Sequence, residues 1–334
     1  MSDRHPAVTV LTPTLDAERF LSPMLSSLAA QTLARGRFEH IVIDGGSKDG
    51  TLERIRRESP ETRVIVAPKC TIYEAMNIGL AEARGESIGW LNADDLWEPD
   101  ALSLVEEQLD RSPSADVVIG DYVMFEGRTK SLYRTSDRVL DAIREGRMAR
   151  WFDIWVNPLS VFYRTRFLRE LGGYDPSYRL VGDWDLWFRA AARAPRARVV
   201  HCGKSLGSFR IHPGSLTSGS RLDRLFEEKR RAMARWIDDE RAPKGLRDCA
   251  RRMFRHDTLS LAVVRARMHP SLASLRGALS LANEVRCAGP RLASDVASGS
   301  VMALAEVVQS LPGVGTLARA AWAATGGPSV SSNT

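Results

Sequence analysis

The sequence contains few cysteines and no long apolar run. Its four cysteines are widely scattered and form no CxxC pair (Cys70, Cys202, Cys249 and Cys287), which argues against a zinc site or a disulfide framework and suits a reducing compartment. No stretch approaches the roughly 18 to 20 apolar residues that a membrane-spanning helix needs, and the N-terminus lacks the apolar segment of a signal peptide. These absences predict a protein that stays in the cytoplasm.

Two further functional classes are disfavoured. No GxxxxGK[ST] sequence is present, which argues against a P-loop kinase. The formal net charge is only +6, from 47 basic and 41 acidic residues, and the arginine-rich stretch 221–256 also contains many Asp and Glu residues. That mixture is typical of a solvated helical surface rather than of a phosphate-binding track, so we expect no nucleic-acid partner.

The first 220 residues alternate short apolar runs with helical patterns. Strands are predicted at 7–11, 40–43, 63–67, 87–91, 116–120, 199–202 and 208–211. A helix is predicted to start at Ser22-Pro23, others follow Thr51 and begin at Ile72, and 126–128 predicts a hairpin turn. This alternation predicts βαβ units, hence an α/β fold with a mainly parallel sheet flanked by helices.

The most informative stretch is the predicted strand 87–91 with the residues that follow it. The strand ends in Asn92-Ala93-Asp94-Asp95, so two adjacent carboxylates lie at the carboxyl end of a central strand, where open α/β sheets bind ligands. The two carboxylates repel each other, and a hard divalent cation is the simplest compensating charge. The alternative is that Asp94 and Asp95 only cap the next helix.

Two other segments contain polar residues that a ligand can use. Asp44 ends a predicted strand before Gly45-Gly46, and its carboxylate can accept hydrogen bonds from a nucleotide base or ribose. An ordinary glycine-rich turn is the alternative. Asn77 and Arg84 are the polar residues in the predicted helix 72–84, whose pattern by itself indicates only core packing.

Three candidate residues come later in the chain. Asp183 follows Gly182 at a predicted helix start and is a candidate general base, with N-capping as the alternative. Arg210 and His212 lie at a strand end before a turn. His212 can complete a metal shell with the Asp pair or contact a diphosphate, and a purely structural histidine is the alternative.

In their order and spacing, these segments resemble the family 2 glycosyltransferases of the GT-A fold. The similarity covers roughly residues 7–217 and rests on VTVLTPTLDAERFL, IVIDGGSKDGT, IYEAMNIGLAEARGESIGWLNADDLWEPDAL, GGYDPSYRLVGDWDLWFRAA and FRIHPGSLT. The resemblance implies an inverting transfer of a sugar from a nucleoside-diphosphate donor to an acceptor hydroxyl, with Mn²⁺ or Mg²⁺ as cofactor. We expect the acceptor to be a glycan or a lipid-linked molecule.

The resemblance also implies residue roles. Asp95 is expected to bind the cation directly, with His212 beside it, and Asp94 to bind the ribose or a metal-bound water. Asp183 is expected to deprotonate the acceptor hydroxyl. The residues expected to contact the nucleotide-sugar are Thr12, Asp44, Asn77, Arg84, Asp94 and Arg210.

Two features depart from the family's pattern. Many members have two acidic residues where this chain has Asp44-Gly45, and the second often contacts the base, so UDP is expected first but dTDP and GDP stay open. The segment 157–160 stands where many members have a more polar acceptor-side motif, so the acceptor type cannot be carried over.

Beyond about residue 220, arginines and helix formers predict two or three helices separated by Pro243 and Pro270. We expect a catalytic domain at 1–218, a helical extension at 219–325 and a disordered tail at 326–334. Interleaved basic and apolar residues suit an anionic membrane surface, which fits surface polysaccharide or glycolipid assembly. A helical cap on the catalytic domain or a homodimer contact is the alternative for this region, and a catalytically inactive sugar-nucleotide-binding protein is the alternative function.

Overall fold

A computed structural model describes residues 5–135, 157–193, 198–215 and 222–268, with positions 277 and 280 beyond them. These residues form two compact units. The first contains the described residues of 1–218 together with Glu240–Cys249, and the second contains those of 219–239 and 250–334. Pro270 and the predicted tail at 326–334 lie outside the described residues.

In the first unit, strands and helices alternate along the chain. In chain order they are β1 (Val8–Thr14), α1 (Glu18–Ala29), β2 (Phe38–Asp44), α2 (Thr51–Glu58), β3 (Arg63–Val66), α3 (Ile72–Glu82), β4 (Ser87–Trp90), β5 (Leu96–Trp97), α4 (Ala101–Arg111), β6 (Val117–Glu126), β7 (Thr129–Tyr133), β8 (Val161–Arg164), α5 (Thr165–Glu170), α6 (Gly182–Arg193) and β9 (Val199–Arg210).

All nine described strands belong to one sheet, in the order β3-β2-β1-β4-β8-β6-β9-β5, with β7 paired to β6 off this path. The strands β3, β2, β1 and β4 are parallel, and so are β6 and β9. Strand β8 runs antiparallel to both β4 and β6. The predicted α/β fold is therefore confirmed, as a mixed GT-A-like sheet with mainly parallel strands, and β6 and β7 form the predicted hairpin.

Strands β1 and β4 and most of β2 are buried, which explains why they are nearly continuous apolar runs, whereas the edge strand β3 is partly exposed. Val8, Val10 and Leu11 of β1 are fully buried. Helix α3 packs closely on this sheet because Gly79 has no side chain. A Cβ at Gly79 would lie 2.8 Å from Leu11 Cδ2 and 2.9 Å from Ile43 Cδ1.

The start of α1 differs from the prediction. Ser22-Pro23 was expected to open the helix, but α1 begins at Glu18 and contains Pro23. The first backbone N–H groups are satisfied from another part of the chain, since Ala17 N donates to Thr51 Oγ1 and Glu18 N donates to Asp49 Oδ2. A cap supplied by residues about 30 positions away leaves no local signal.

Two other boundaries also differ. Residues 199–202 and 208–211 were predicted as separate strands, but β9 is one strand of 12 residues that follows β6 through a bulge. Gly85 was predicted to end α3, yet the helix ends at Glu82. Gly85 instead allows a close approach to β1, since a Cβ there would lie 2.4 Å from Thr9 N.

The second unit is helical. It contains α7 (Leu222–Asp238) and most of α8 (Lys244–Met268), which follows Pro243 as predicted. Ala232, Met233 and Trp236 supply the buried side of α7, and the Arg230 guanidinium lies 4.9 Å from the centre of the Phe254 ring. Among the described helices, none combines the length and the apolar character needed to cross a membrane.

Candidate functional site

The Asp pair lies at the carboxyl end of β4, near the centre of the sheet order. Asp94 and Asp95 occupy the short connection between β4 and β5, and neither caps a helix. The next helix, α4, has Asp100 at its N-cap position, five residues further on. The capping interpretation of Asp94 and Asp95 is therefore wrong, and the pair lies where open α/β sheets bind ligands.

Asp95 is fully buried. Its Oδ1 accepts a hydrogen bond from Arg210 N at 2.9 Å, and its Oδ2 accepts one from Asn92 Nδ2 at 2.9 Å. Burial, followed by the neighbouring Asp94 carboxylate, raises the pKa of Asp95 well above its ordinary value, while the bonds from Arg210 and Asn92 oppose the rise. Asp95 thus ties β4 to the end of β9 and has no surface toward solvent.

Asp94 is partly exposed and makes the contacts that face outward. Its Oδ2 lies 2.8 Å from His212 Nε2, and its backbone oxygen accepts a bond from Arg210 Nε at 2.9 Å. The backbone N–H of Gly214 donates to His212 Nδ1 at 3.1 Å. An imidazole nitrogen that accepts a hydrogen bond carries no proton, so the proton of neutral His212 is on Nε2, which donates to Asp94.

An aromatic residue that sequence reasoning missed organises the basic groups around this pair. The Phe20 ring of α1 lies 4.6 Å from the His212 ring and 5.6 Å from the Arg210 guanidinium. On its other side, Arg210 lies 4.5 Å from the Phe125 ring. Both contacts are within the range of cation–π attraction. Phe20 falls in an ordinary amphipathic pattern, so the sequence contained no signal for this role.

Asp183 is placed by a cluster of three aromatic side chains. Its Oδ1 accepts a hydrogen bond from Tyr73 OH at 3.3 Å. The Tyr73 ring stacks on Tyr174, with centroids 5.5 Å apart, and meets Trp90 edge-on. Burial, followed by the nearby Asp183 carboxylate, raises the pKa of Tyr73 well above its ordinary value, so the hydroxyl stays protonated and donates.

A continuous set of contacts connects Asp183 with the Asp pair. Trp90, beside Tyr73, donates from Nε1 to Asn92 Oδ1 at 2.6 Å, and Asn92 in turn donates to Asp95.

The other acidic residue of α6, Asp185, is buried and pairs with Arg189 at 2.7 Å within the same helix. Asp185 is thus held in an ion pair of α6, and Asp183 is the carboxylate that the aromatic cluster presents. The sequence analysis assigned no role to Asn92, although its position two residues before Asp94 was a local indication of one.

Asn77 has a positioning contact rather than a contact with the Asp pair. Its Nδ2 donates to Tyr174 O at 2.7 Å, and its Oδ1 accepts from Tyr174 N at 2.8 Å. The amide nitrogen and the amide oxygen of Asn77 are therefore both bonded to the backbone of Tyr174. Asn77 fixes the segment that supplies Tyr174 to the aromatic cluster.

The oxygens of Asp44 are occupied by neighbouring groups. Oδ1 accepts from the backbone N–H groups of Gly46 and Ser47 at 2.9 and 2.8 Å, and Oδ2 accepts from Thr14 Oγ1 and Ser47 Oγ at 2.9 and 2.6 Å. The residue is fully buried. These bonds shape the glycine turn after β2, and contact with a nucleoside stays a prediction.

Neither Thr12 nor Arg84 contacts the Asp pair within the described residues, and their contact with a nucleotide-sugar stays a prediction. Thr12 is fully buried, and its hydroxyl lies 3.0 Å from His40 Nε2. Arg84 is exposed, and its backbone N–H donates to Glu39 Oε1 at 2.6 Å, near the amino ends of β2 and β4. Because Asp94 follows the carboxyl end of β4, Arg84 lies at the opposite edge of the sheet.

Comparisons with known proteins are consistent with this geometry. The model of glycosyl transferase family 2 matches residues 9–172. A PGL/p-HBAD biosynthesis glycosyltransferase of Mycobacterium bovis BCG is 32% identical over 189 residues, which cover 55% of this chain and 69% of that protein.

Among the solved structures that share the fold are two with a bound sugar nucleotide. Staphylococcus aureus TarS 1-349 in complex with UDP-GlcNAc superposes with a TM-score of 0.62 at 16% identity, covering 94% of this chain and 92% of that one. The mannosyltransferase PcManGT of Pyrobaculum calidifontis, in complex with GDP-Man and Mn²⁺, gives a TM-score of 0.57 at 19% identity, covering 91% and 87%. The chain spans half the length of a longer TarS chain that it also matches.

Proposed function

Since the chain belongs to glycosyltransferase family 2 and is a glycosyltransferase, we propose that it transfers a sugar from a nucleoside-diphosphate-sugar to an acceptor hydroxyl, with inversion at the anomeric carbon. The observation that carries the proposal is the pairing of the partly exposed Asp94 with His212 and Arg210 at the carboxyl end of β4. Asp183 is connected to the same strand end through Tyr73 and Trp90.

The oxygen ligands at this edge fit a divalent cation that the phosphates of the nucleotide-sugar help to bind. Only Oδ2 of Asp94 is hydrogen-bonded within the described residues, so Oδ1 is available as a hard oxygen ligand for Mn²⁺ or Mg²⁺. A cation bound there would keep phosphate oxygens and water among its ligands. When bound, the cation supplies charge stabilisation to the leaving diphosphate.

The geometry favours exchanging the roles first assigned to the two aspartates. Both oxygens of the buried Asp95 accept hydrogen bonds, so we assign Asp94 to the cation and Asp95 to holding Asp94 and Arg210 in place. His212 orients Asp94 through its Nε2 proton. For Nε2 to ligate a metal directly, the ring would have to give up this proton and the contact with Gly214.

The chemistry assigned to the remaining residues follows. Asp183 accepts the proton of the acceptor hydroxyl while the acceptor oxygen forms a bond to the anomeric carbon. The bond from that carbon to the diphosphate oxygen breaks on the opposite face, and the electron pair leaves with the nucleoside diphosphate. Arg210, held between Phe20 and Phe125, faces the charge that develops there.

The donor and acceptor are proposed at the level of chemical class. TarS binds UDP-GlcNAc, and PcManGT binds GDP-Man. We take a UDP-sugar as the first candidate donor. The mycobacterial relative is named for PGL/p-HBAD biosynthesis, which favours a glycan or lipid-linked acceptor in surface polysaccharide or glycolipid assembly.

The experiment is donor hydrolysis by the purified full chain, with Mn²⁺ or Mg²⁺ and a panel of UDP-, dTDP- and GDP-sugars. We expect slow, metal-dependent release of nucleoside diphosphate from at least one donor. Asp94→Asn should reduce the rate by roughly 100-fold or more, whereas Asp110→Asn, at an exposed position of α4, should not. Donor binding without release of nucleoside diphosphate would indicate the inactive sugar-nucleotide-binding protein instead.

The second unit supports a further part of the proposal, peripheral contact of a cytoplasmic protein with an anionic membrane. Arg224, Arg231 and Arg235 are exposed at spacings of seven and four on α7, and Arg251 and Arg255 are exposed at a spacing of four on α8. These spacings place each set on one helix face, and basic faces attract anionic lipid.

Co-sedimentation with phosphatidylserine vesicles tests this contact. Binding should weaken with salt and with the combined Arg224, Arg231 and Arg235→Gln variant. An absence of salt-sensitive binding would instead favour a helical cap or a homodimer contact, which sedimentation of the free protein would distinguish.

A further inference from the structure

A second arginine lies beside the proposed diphosphate position, in a segment to which the sequence assigned no role. Three groups surround the ring of Phe20. The Arg19 guanidinium lies 4.3 Å from its centroid, the His212 ring 4.6 Å and the Arg210 guanidinium 5.6 Å. Phe20 therefore brings the first turn of α1 and the end of β9 together at the edge that contains Asp94.

The turn after β9 places Arg19 independently of its contact with Phe20. A Cβ added to Gly214 would lie 3.3 Å from Arg19 Nη2 and 3.1 Å from His212 Nδ1. Arg19 Nη2 and the His212 ring thus both border the same point beside Gly214. Since His212 bonds to Asp94, Arg19 reaches the surroundings of the Asp pair from the α1 side.

No acidic group neutralises Arg19 within the residues that the structure describes. The carboxylate that precedes it, Glu18, is bonded to Arg54 at 2.9 Å and to the backbone N–H of Gly50 at 3.1 Å. Asp16 accepts from the backbone N–H of Lys48. Arg19 itself is exposed, and its planar set of N–H donors matches the oxygens of a phosphate.

The negative charge around Asp94 favours a second arginine in addition to Arg210 and the proposed cation. Arg210 already uses its Nε on Asp94 O, and it faces the two neighbouring carboxylates of Asp94 and Asp95. A nucleoside diphosphate adds further negative charge to this edge as the sugar leaves. A second guanidinium without a carboxylate partner offsets that charge.

We infer that Arg19 binds the diphosphate of the donor together with Arg210. The inference rests on the proposed function, because it takes a nucleoside diphosphate as the ligand. Arg19 contacts phosphate oxygens rather than the base or ribose. It therefore contributes affinity for the diphosphate and leaves recognition of the nucleoside unchanged.

The test measures binding of UDP, UMP and uridine to the full chain in the presence of Mn²⁺, with GDP and dTDP as further probes. Arg19→Gln should weaken UDP binding by roughly tenfold or more and leave uridine binding unchanged. Arg19→Lys, which keeps the charge but loses the fork of donors, should give an intermediate loss. The matched control is Arg56→Gln, which removes one exposed charge from α2.

Three outcomes would overturn the inference. In the first, Arg19→Gln binds UDP as tightly as Arg56→Gln does. In the second, Arg19→Gln weakens the binding of uridine as much as that of UDP, which would indicate a disturbed fold around α1. Thermal unfolding of both variants, expected to match that of the unmodified chain, checks for such a disturbance. If the unmodified chain binds none of the three nucleoside diphosphates, the proposed function fails together with the inference.

Discussion

We expect the buried His40 to lower the free energy of unfolding at acidic pH, and the size of this loss follows from the surroundings of its ring. The side chain is buried on β2, and its two ring nitrogens lie 3.0 Å from Thr12 Oγ1 and 2.9 Å from Thr62 Oγ1. Burial lowers the pKa of His40 from 6.5 to about 4, and the Glu61 carboxylate only partly opposes this. Replacing His40 with Gln removes the titrating group and keeps polar atoms near both hydroxyls.

The sign and size follow from proton linkage. Above pH 6.5 the ring is neutral in both states, so it adds no pH dependence. Between pH 6.5 and 4 the unfolded chain binds a proton that the folded chain does not, and the free energy of unfolding falls by about 1.4 kcal/mol per pH unit. The total loss approaches ~3 kcal/mol near pH 4 and grows no further below it.

The assay is urea unfolding of the full chain and of His40→Gln at intervals from pH 7.5 to 4.5. Other groups titrate in both proteins, so the difference between the two curves isolates His40. We expect the unmodified chain to lose stability relative to His40→Gln as the pH falls below 6.5. Two curves that stay parallel over this range would refute the reasoning and indicate that a proton is accepted at the buried ring.

Three further predictions concern the site and its support. Tyr73→Phe removes the hydroxyl that bonds to Asp183 and should lower the turnover of donor hydrolysis by roughly tenfold with little change in donor KM. An unchanged turnover would show that Tyr73 does not position Asp183. Asn77→Ala breaks both bonds to the Tyr174 backbone and should cost about 1–3 kcal/mol in urea unfolding, whereas a neutral effect would mean that water replaces them. Gly89→Ala places a Cβ 2.2 Å from Phe162 Cε1 and should destabilise the fold by about 1–3 kcal/mol, while Gly45→Ala, whose nearest neighbours lie at 3.5 Å, should be neutral by the same measurement.

Much of the fold was predictable because its signals are local. The apolar runs of β1 to β4 and the hairpin turn at 126–128 each lie within a few residues of the predicted positions. The errors fall where the deciding contact comes from a distant segment. Helix α1 begins before Ser22 because Asp49 and Thr51 cap it, and β9 is continuous because it pairs with β6 along its length.

The sequence indicated several residues of the candidate site, whereas their burial and contacts depended on the tertiary structure. The carboxyl ends of parallel strands lie at one sheet edge, but β8 and β6 stand between β4 and β9, so only the tertiary structure brought the Asp pair to Arg210 and His212. Nothing in the sequence indicated that Asp95 would be buried and Asp94 partly exposed. For the same reason Phe20 and Arg19, on the first turn of a helix, were not recognised.

The sequence by itself determined the α/β alternation, the family resemblance and the acidic and basic residues available for chemistry, because these depend on residue type and spacing. Only the tertiary structure decided which of those residues keep atoms available for a ligand. Asp44 and Thr12 form hydrogen bonds with their neighbours, and Arg84 lies at the opposite edge of the sheet. Burial and hydrogen-bond partners are set by segments far apart in the chain, and these contacts distinguish the partly exposed Asp94 from the buried Asp95.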